Sequence, residues 1–550
     1  MAVSLPGLSG LSVIDRDEAR FAQASVQMAE SGDLLNIRFQ DEARNKKPAG
    51  IYWLQTAAIK IFSAEGERKI WVQRLPSVLG ALLAVLATYW GGAKLIGRES
   101  AFIGAAALAL SMMMVFESHI AKTDAVLCGL AALCFASLAH IRHTPSGLSL
   151  WKARPAVWVF WLAFGGSILV KGPIVPTLIA LTCTGLLIWE KRGYGIRQLI
   201  NIPAIIASLL LFIPWAVAIG IETHGVFFTE SLGHDLGGKI VSAQESHPGP
   251  PGYHLGFLHL TFWPASLLLL PVIIYTVHAL KHQTCSDDRF AKLTRLCVAW
   301  IIPYWIVIEL MPTKLPHYSL PLFPALCLLF GLTVTALHKN DEFRTSRRIS
   351  ALIFLLLSGA IIAALLYTLS LYSEAAPIVM IYASCAVGGL AATIAAISIW
   401  RRRMKTALLS AGLCGIILNA TAYSLVLPNL TDFRLADRLT NGFEEQNLPL
   451  PRQGGDVVQA LNFTEPSLVY HFGKEVRLGE QIDLNTAETW TEGRIFIVDT
   501  LHKKGQGWAR FQTAQKAQKA CTRTLFRVDG VNYSRGNEVD LRVLQVIACE

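Results

Sequence analysis

Apolar runs of about 20 residues recur along most of this chain and are separated by short polar connections. Runs of that length cross a hydrocarbon core of about 30 Å as helices. They predict twelve spans, at 72–93, 102–118, 125–140, 156–170, 173–189, 200–220, 255–278, 293–310, 318–337, 349–372, 377–399 and 406–427. A shorter apolar segment, 50–64, is too short to cross and predicts an interfacial or re-entrant helix. Two stretches depart from the pattern. Residues 1–71 mix charged and apolar positions, and residues 430–550 have ordinary polarity. In the second stretch Ser467–Phe472, Arg494–Val498 and Leu541–Ile547 read as strands, and Phe511–Cys521 reads as a helix. Turn signals fall at Gly493, Asp529-Gly530 and Arg535-Gly536. The expected fold is a polytopic α-helical membrane protein carrying a small C-terminal α/β domain.

Composition agrees with this reading. Of 550 residues 53% are hydrophobic and 16% charged, where a soluble domain carries about 25% charge. The formal charge of +10 raises the question of nucleic acid, but the arrangement of the charge answers it. Alternate connections are basic: Lys94/Arg98, Arg142/Lys152/Arg154, Lys191/Arg192/Arg197, Lys281/Arg289/Lys292/Arg295, Lys339/Arg344/Arg347/Arg348 and Arg401–Arg403/Lys405. The opposite connections between 118 and 377 carry only Lys122, Lys171, Lys239 and Lys314. The basic set is therefore cytoplasmic, and no nucleic-acid partner is expected. Residues 1–71 (an outward catalytic loop with interfacial helices), the loops near 118–124, 171–172, 221–254, 311–317 and 373–376, and the 430–550 domain face outward. An outward charged head with no span before it leads us to expect a further helix upstream of Met1; the alternative is an N-out protein inserted by its first long span. Cys521 and Cys549 lie in the outward domain and form a disulfide if it is extracytoplasmic. That domain is equally open to two roles, a scaffold or lid and a reader of the acceptor.

The outward segments hold the candidate chemistry. Asp15, Asp17, Glu18 and Arg20 open a helical stretch ending near Ser31-Gly32. Carboxylates there either cap the helix or serve as a general base or electrostatic partner, with Asp17 and Glu18 the candidates. Lys46 and Lys47 either hold a phosphate or anchor the next helix to lipid headgroups. Asp124 introduces an apolar helix, as an N-cap or as a ligand for a sugar hydroxyl. Lys171 sits in a two-residue break between spans, close enough to lipid to meet a phosphate. Lys314, His317 and Tyr318 gather at a proline-broken junction. His234 is a weak metal candidate, without a tight ligand spacing around it. Carboxylates and cations together on one face suit a substrate with a lipid tail, a phosphate and a polar head. A lipid-linked saccharide transporter is the competing class, and it would show broken helices in corresponding halves near mid-membrane; the sequence reads as unbroken.

Six motifs also carry a resemblance: Asp15-Arg-Asp-Glu-Ala-Arg-Phe-Ala22, Asn45-Lys-Lys-Pro-Ala-Gly-Ile-Tyr-Trp53, Arg74-Leu-Pro76, Lys122-Thr-Asp124, Lys171-Gly-Pro173 and Lys314-Leu-Pro-His-Tyr-Ser-Leu-Pro321. In order and spacing the chain resembles the bacterial branch of the dolichyl-phosphate-mannose protein mannosyltransferase superfamily, and within it the lipid A aminoarabinose transferases. The resemblance implies a GT-C fold of thirteen spans with an outward C-terminal domain. It implies an inverting membrane glycosyltransferase in a bacterial inner membrane, acting as a monomer. The donor would be a polyprenyl-phosphate sugar, and the acceptor lipid A, another envelope glycan or, alternatively, a protein. Asp17 matches the key carboxylate of the first loop, Asp124 a second acidic position, and Lys47 the donor-phosphate lysine; Lys171, Lys314, His317 and Tyr318 fall in motifs near the donor. The aminoarabinose transferases usually have Phe-Glu-Lys-Pro where this chain has Asn45-Lys46-Lys47-Pro48. Lys46 cannot act as the metal-binding carboxylate, so no cofactor is required and a divalent cation is optional.

Overall fold

The computed structural model describes residues 3–143, 154–191, 196–238, 249–282, 288–337, 343–373 and 377–549. Among these, eight helices are long and apolar enough to cross a membrane, and two bent helix pairs raise the number to ten if each counts as one span. Two shorter apolar helices, α7 (Pro155–Lys171) and α8 (Ile174–Glu190), cover the remaining two of the twelve expected apolar runs. The head consists of α1 (Asp17–Ser31), a short hairpin of β1 (Arg38–Phe39) and β2 (Glu42–Ala43), and the expected short helix α2 (Gly50–Phe62).

Two spans are broken, which the sequence reading does not foresee. Helix α4 (Arg98–Leu110) turns by 57° into α5 (Met112–Ser118), and Tyr253–Thr261 turns by 111° into Ala265–Lys281. Backbone groups released inside an apolar bundle need new partners, and the two breaks supply one to each other. The Met112 N–H donates to the Trp263 carbonyl at 2.8 Å. The fully buried Trp263 is itself anchored by its indole N–H on Ser358 Oγ at 3.0 Å.

Small residues set the depth at which functional groups lie. Helix α3 (Ile70–Ala93) packs on α6 (Asp124–Arg142) through Gly80 and Gly129. A methyl group at Gly80 would come 2.6 Å from Val126 backbone, and one at Gly129 would come 2.6 Å from the Gly80 carbonyl. Close backbone approach of this kind is how helices associate where lipid removes the hydrophobic drive.

Arg74 projects from α3 into the head, wholly buried. Nε and Nη2 donate to Glu18 Oε1 and Oε2 at 2.8 and 2.9 Å, Nη1 donates to the Leu8 and Leu11 carbonyls at 2.9 and 3.0 Å, and Nη2 also donates to the Ser12 carbonyl at 2.9 Å. Glu18 accepts further bonds from the Ile14 and Ala121 N–H groups, each at 2.7 Å. Every guanidinium donor is thereby used. One ion pair ties the first loop, α1, α3 and the turn before α6 together.

The C-terminal domain holds a five-stranded sheet in the order β4 (Arg477–Leu478), β3 (Val458–Leu461), β5 (Ile495–Asp499), β7 (Asn537–Ile547), β6 (Cys521–Asn532). Strand β3 is parallel to both its neighbours; β7 is antiparallel to β5 and β6. Ile495 and Ile497 face one buried cluster, Phe496 and Val498 the other, so β5 shows no polar alternation. Cys521 and Cys549 form a disulfide. Three local expectations are corrected. Ser467–Phe472 belongs to a helix, Pro466–Phe472, because Pro466 stands at its first position and presets the helical φ. The predicted helix Phe511–Cys521 is Gln506–Ala517, and Cys521 opens β6. Asp529-Gly530 lies within β6, with Gly530 in an extended φ of 158° against the Asp432 carbonyl, and the hairpin turns at Arg535-Gly536 instead.

This domain sits on the head, on the side away from the basic connections, which places it outside the cytoplasm. Asp15 Oδ1 accepts from the Ser467 N–H at 2.8 Å, and the Asp15 N–H donates to Tyr533 Oη at 2.5 Å. Ser12 donates to Asp437, and Gln40 Nε2 donates to the Lys474 carbonyl at 3.2 Å. Tyr470 is buried among Val13, Ala19, Ala22 and Val26.

Two outcomes follow. Glu18→Gln leaves Arg74 a buried cation without its counter-charge and costs about 3–5 kcal/mol; thermal unfolding of the solubilised protein reads this. Burial pushes the Asp15 carboxyl up to about 6, against hydrogen bonds from Ser467 that lower it. The folded protein therefore holds that proton more tightly than the unfolded chain. Its contribution is full below the ordinary value near 3.8 and is lost as pH rises through about 6. Asp15→Asn should melt higher than the parent at pH 7, with the difference narrowing as pH falls to about 5.

Candidate active site

At the outer end of the bundle a cavity of about 500 Å³ opens between the head, the start of α6, the α7–α8 turn and the segment 304–321. Its apolar wall includes Ile168, Leu169, Phe212, Trp215, Phe227 and Ile308. Its polar lining includes Asp17, Arg44, Lys46, Lys47, Lys122, Asp124, Lys171, His317 and Tyr318.

Local structure fixes each group. Lys171 ends α7, and Gly172 follows with φ 69° and ψ −137°. A side chain is strained there, so glycine permits the two-residue turn into α8 that leaves the ammonium pointing at α6. Lys171 Nζ donates to Asp124 Oδ1 at 2.6 Å. Asp124 begins α6, where a carboxylate also suits the helix dipole. Lys122 Nζ lies 3.7 Å from Asp124 Oδ2 and 3.0 Å from Glu117 Oε1. His317 stands between the same carboxylates, 3.8 Å from each. Burial alone would depress the Lys122 ammonium, but Glu117 and Asp124 beside it raise it well above its ordinary range. Asp17, at the first turn of α1, is exposed and makes no hydrogen bond or ion pair with the described residues. Asp17 and Asp124 each follow the cap residue of their helix, Arg16 and Thr123, and bond no backbone N–H among the described residues, so the helix-end reading is left only as charge against the dipole.

Of the candidates read from the sequence, Asp17, Lys47, Asp124, Lys171, His317 and Tyr318 line this one cavity. Three do not. Glu18 is corrected from a catalytic to a structural group, because Arg74 and two backbone N–H groups occupy its carboxylate. Arg20 is half-buried and off the lining. Lys314 is buried beneath the cavity, donating to the Glu309 carbonyl and lying 3.6 Å from the Glu309 carboxylate. It braces the 311–317 segment, whose Met311, Leu315 and His317 do reach the lining. The His234 side chain, like Glu245 and His247 of the same loop, lies outside the described residues; among those described, no three His, Cys, Asp or Glu come together as a metal site.

The sequence reading missed Arg44, which is buried, donates to Tyr52 Oη at 3.2 Å and stacks over Phe21 at 5.2 Å. It also gave no role to Lys122. Proximity to motifs already singled out was the available signal for both.

The bundle, the broken spans and the domain seated on the head define a GT-C-type membrane fold. The chain is similar to aminoarabinose transferases in fold and, over part of its length, in sequence. Over nearly the whole length of both chains (98% and 96%) it superposes on ArnT from Cupriavidus metallidurans bound to undecaprenyl phosphate, with a TM-score of 0.75 at 17% identity. Residues 46–217 match the dolichyl-phosphate-mannose-protein mannosyltransferase family. The undecaprenyl phosphate-alpha-4-amino-4-deoxy-L-arabinose arabinosyl transferase of Yersinia pestis is 25% identical over 331 residues, 60% of this chain and 56% of the relative. That of Pseudomonas aeruginosa is 26% identical over 322 residues, 57% and 54% of the two chains. The chain thus matches a little over half the length of these curated relatives.

Proposed function

We propose that this protein is an inverting glycosyltransferase that moves a sugar from a polyprenyl-phosphate donor to an envelope acceptor, lipid A or another glycan, outside the cytoplasm. One observation carries the reading: a single cavity joins an apolar wall, a set of cations and a carboxylate, Asp17, that makes no hydrogen bond or ion pair with the described residues. An apolar wall suits a polyprenyl tail, the cations suit its phosphate, and the carboxylate suits a nucleophile. The likeness to a transferase fold determined with undecaprenyl phosphate supports the same donor.

In the reaction the acceptor hydroxyl attacks the anomeric carbon from the face opposite the phosphate. The new C–O bond forms as the bond to the phosphate oxygen breaks, and the lipid phosphate leaves with the electron pair. Lys47 and Lys171 face that developing charge, while Asp17 takes the hydroxyl proton. Asp124 acts through its neighbours: it holds the Lys171 and Lys122 ammonium groups together at a spacing they would otherwise resist. If the acceptor is itself an ionised phosphate, it needs no base and the attack does not depend on Asp17.

Asp17→Asn should reduce transfer by about 10²–10⁴-fold with unchanged yield and melting temperature, as followed by mass spectrometry of acceptor lipids and glycans. Normal turnover in that variant would remove the assignment. Lys47→Gln should raise the donor concentration needed for half-maximal rate more than it lowers protein yield.

A further inference from the structure

Resting on that reading of the cavity, we infer that the sugar transferred here bears an acidic group and that Lys46 selects it. The relatives whose names specify a sugar carry a 4-amino-4-deoxy pentose, a cation at neutral pH. A site for a cation needs a carboxylate to spare. Among the described lining residues the carboxylates are Asp17 and Asp124. Asp124 is committed to Lys171 at 2.6 Å and lies 3.7 Å from Lys122. In the proposed reaction Asp17 serves the acceptor hydroxyl. Glu117 lies behind the wall, fully buried, 3.0 Å from Lys122. Among the described lining residues no negative charge is left for an ammonium.

The opposite charge is in excess on the head's side of the cavity. The turn leaving β2 places Arg44, Lys46 and Lys47 on the lining within four residues. Arg44 is held by Tyr52 and Phe21. Lys46 is different: its backbone is pinned, with its carbonyl accepting from Ser231 Oγ at 3.4 Å, while its side chain is exposed and makes no hydrogen bond or ion pair with the described residues. The Lys171–Asp124–Lys122 group, held by α6, α7 and the turn between α5 and α6, is a separate cluster, and Lys171 from it and Lys47 from the head face the lipid phosphate. A backbone held at Ser231 that carries, on the rim of a substrate cavity, an ammonium without a partner among the described residues makes a reader of negative charge, and it repels a positive one. A carboxylate on the sugar ring satisfies it.

The test compares three donors on undecaprenyl phosphate, alike except for a ring carboxylate, a neutral hydroxymethyl or an amine, with the purified parent protein and with Lys46→Glu. The parent should use the carboxylate donor best and the amine donor worst. Each step should be about tenfold or more, the size of effect a unit charge several Å away exerts at intermediate dielectric. Lys46→Glu should invert the order. Equal use of the carboxylate and neutral donors by the parent, or a preference for the amine, would overturn the inference while leaving the transferase reading intact. A uniform loss with all three in Lys46→Glu would make Lys46 a lipid-headgroup anchor and also overturn it. No transfer from any donor by the parent would overturn the reading of the cavity, and the inference with it.

Discussion

A single buried ion pair, Arg74 with Glu18, holds the head of this protein on its membrane bundle. Its worth lies less in attraction between the two charges, which desolvation largely offsets, than in what each charge collects. Arg74 gathers three backbone carbonyls from residues 8–12, and Glu18 gathers the N–H groups of residues 14 and 121. A loop without regular structure thereby acquires one conformation. The helix that starts at Asp17 then emerges at a fixed place, beside the turn that carries Lys122 and Asp124. Carboxylate and lysines arrive at the same cavity because one guanidinium holds their two segments together.

A second layer of constraint works by depth. The Gly80–Gly129 crossing lets α3 and α6 approach closely, and the paired breaks at 111 and 263 let α5 end in a short turn below the outer surface. The charged residues of 117–124 are consequently buried without being stranded, since each ammonium meets a carboxylate in the same small volume. Lys171 and Asp124 come from different spans, and neither would be tolerable alone at that level.

The spans were legible because apolar runs near 20 residues leave few alternatives, and the orientation because Arg401–Arg403 and their counterparts alternate so regularly with sparse outer loops. Six of the nine catalytic and donor-site candidates meet in one cavity because cations and carboxylates next to lipid are retained only where they pair or bind. The misplacements have physical causes. Glu18 and Asp17 are one position apart, and which of them faces the cavity depends on the helix's rotation, set by Arg74 from 56 residues away. Lys314 reads like His317 in the linear motif, yet the prolines around it turn one side chain under the floor and the other into the opening. The breaks in two spans are invisible in a hydropathy pattern, because the hydrogen bond that makes them tolerable joins residues 112 and 263. Ser467–Phe472 is buried on nearly every side, and a short run with no polar face cannot be told from a strand by periodicity.

The grip of the C-terminal domain on residues 12–15 has a consequence for how the molecule comes into being. Ser12 and Asp15 precede the described spans in the sequence, and Asp437, Ser467 and Tyr533, which hold them, follow those spans. The intervening spans must be threaded and the terminal domain carried across the bilayer before the loop at 12–15 can settle. A chain stalled before that domain therefore lacks the clamp on this loop.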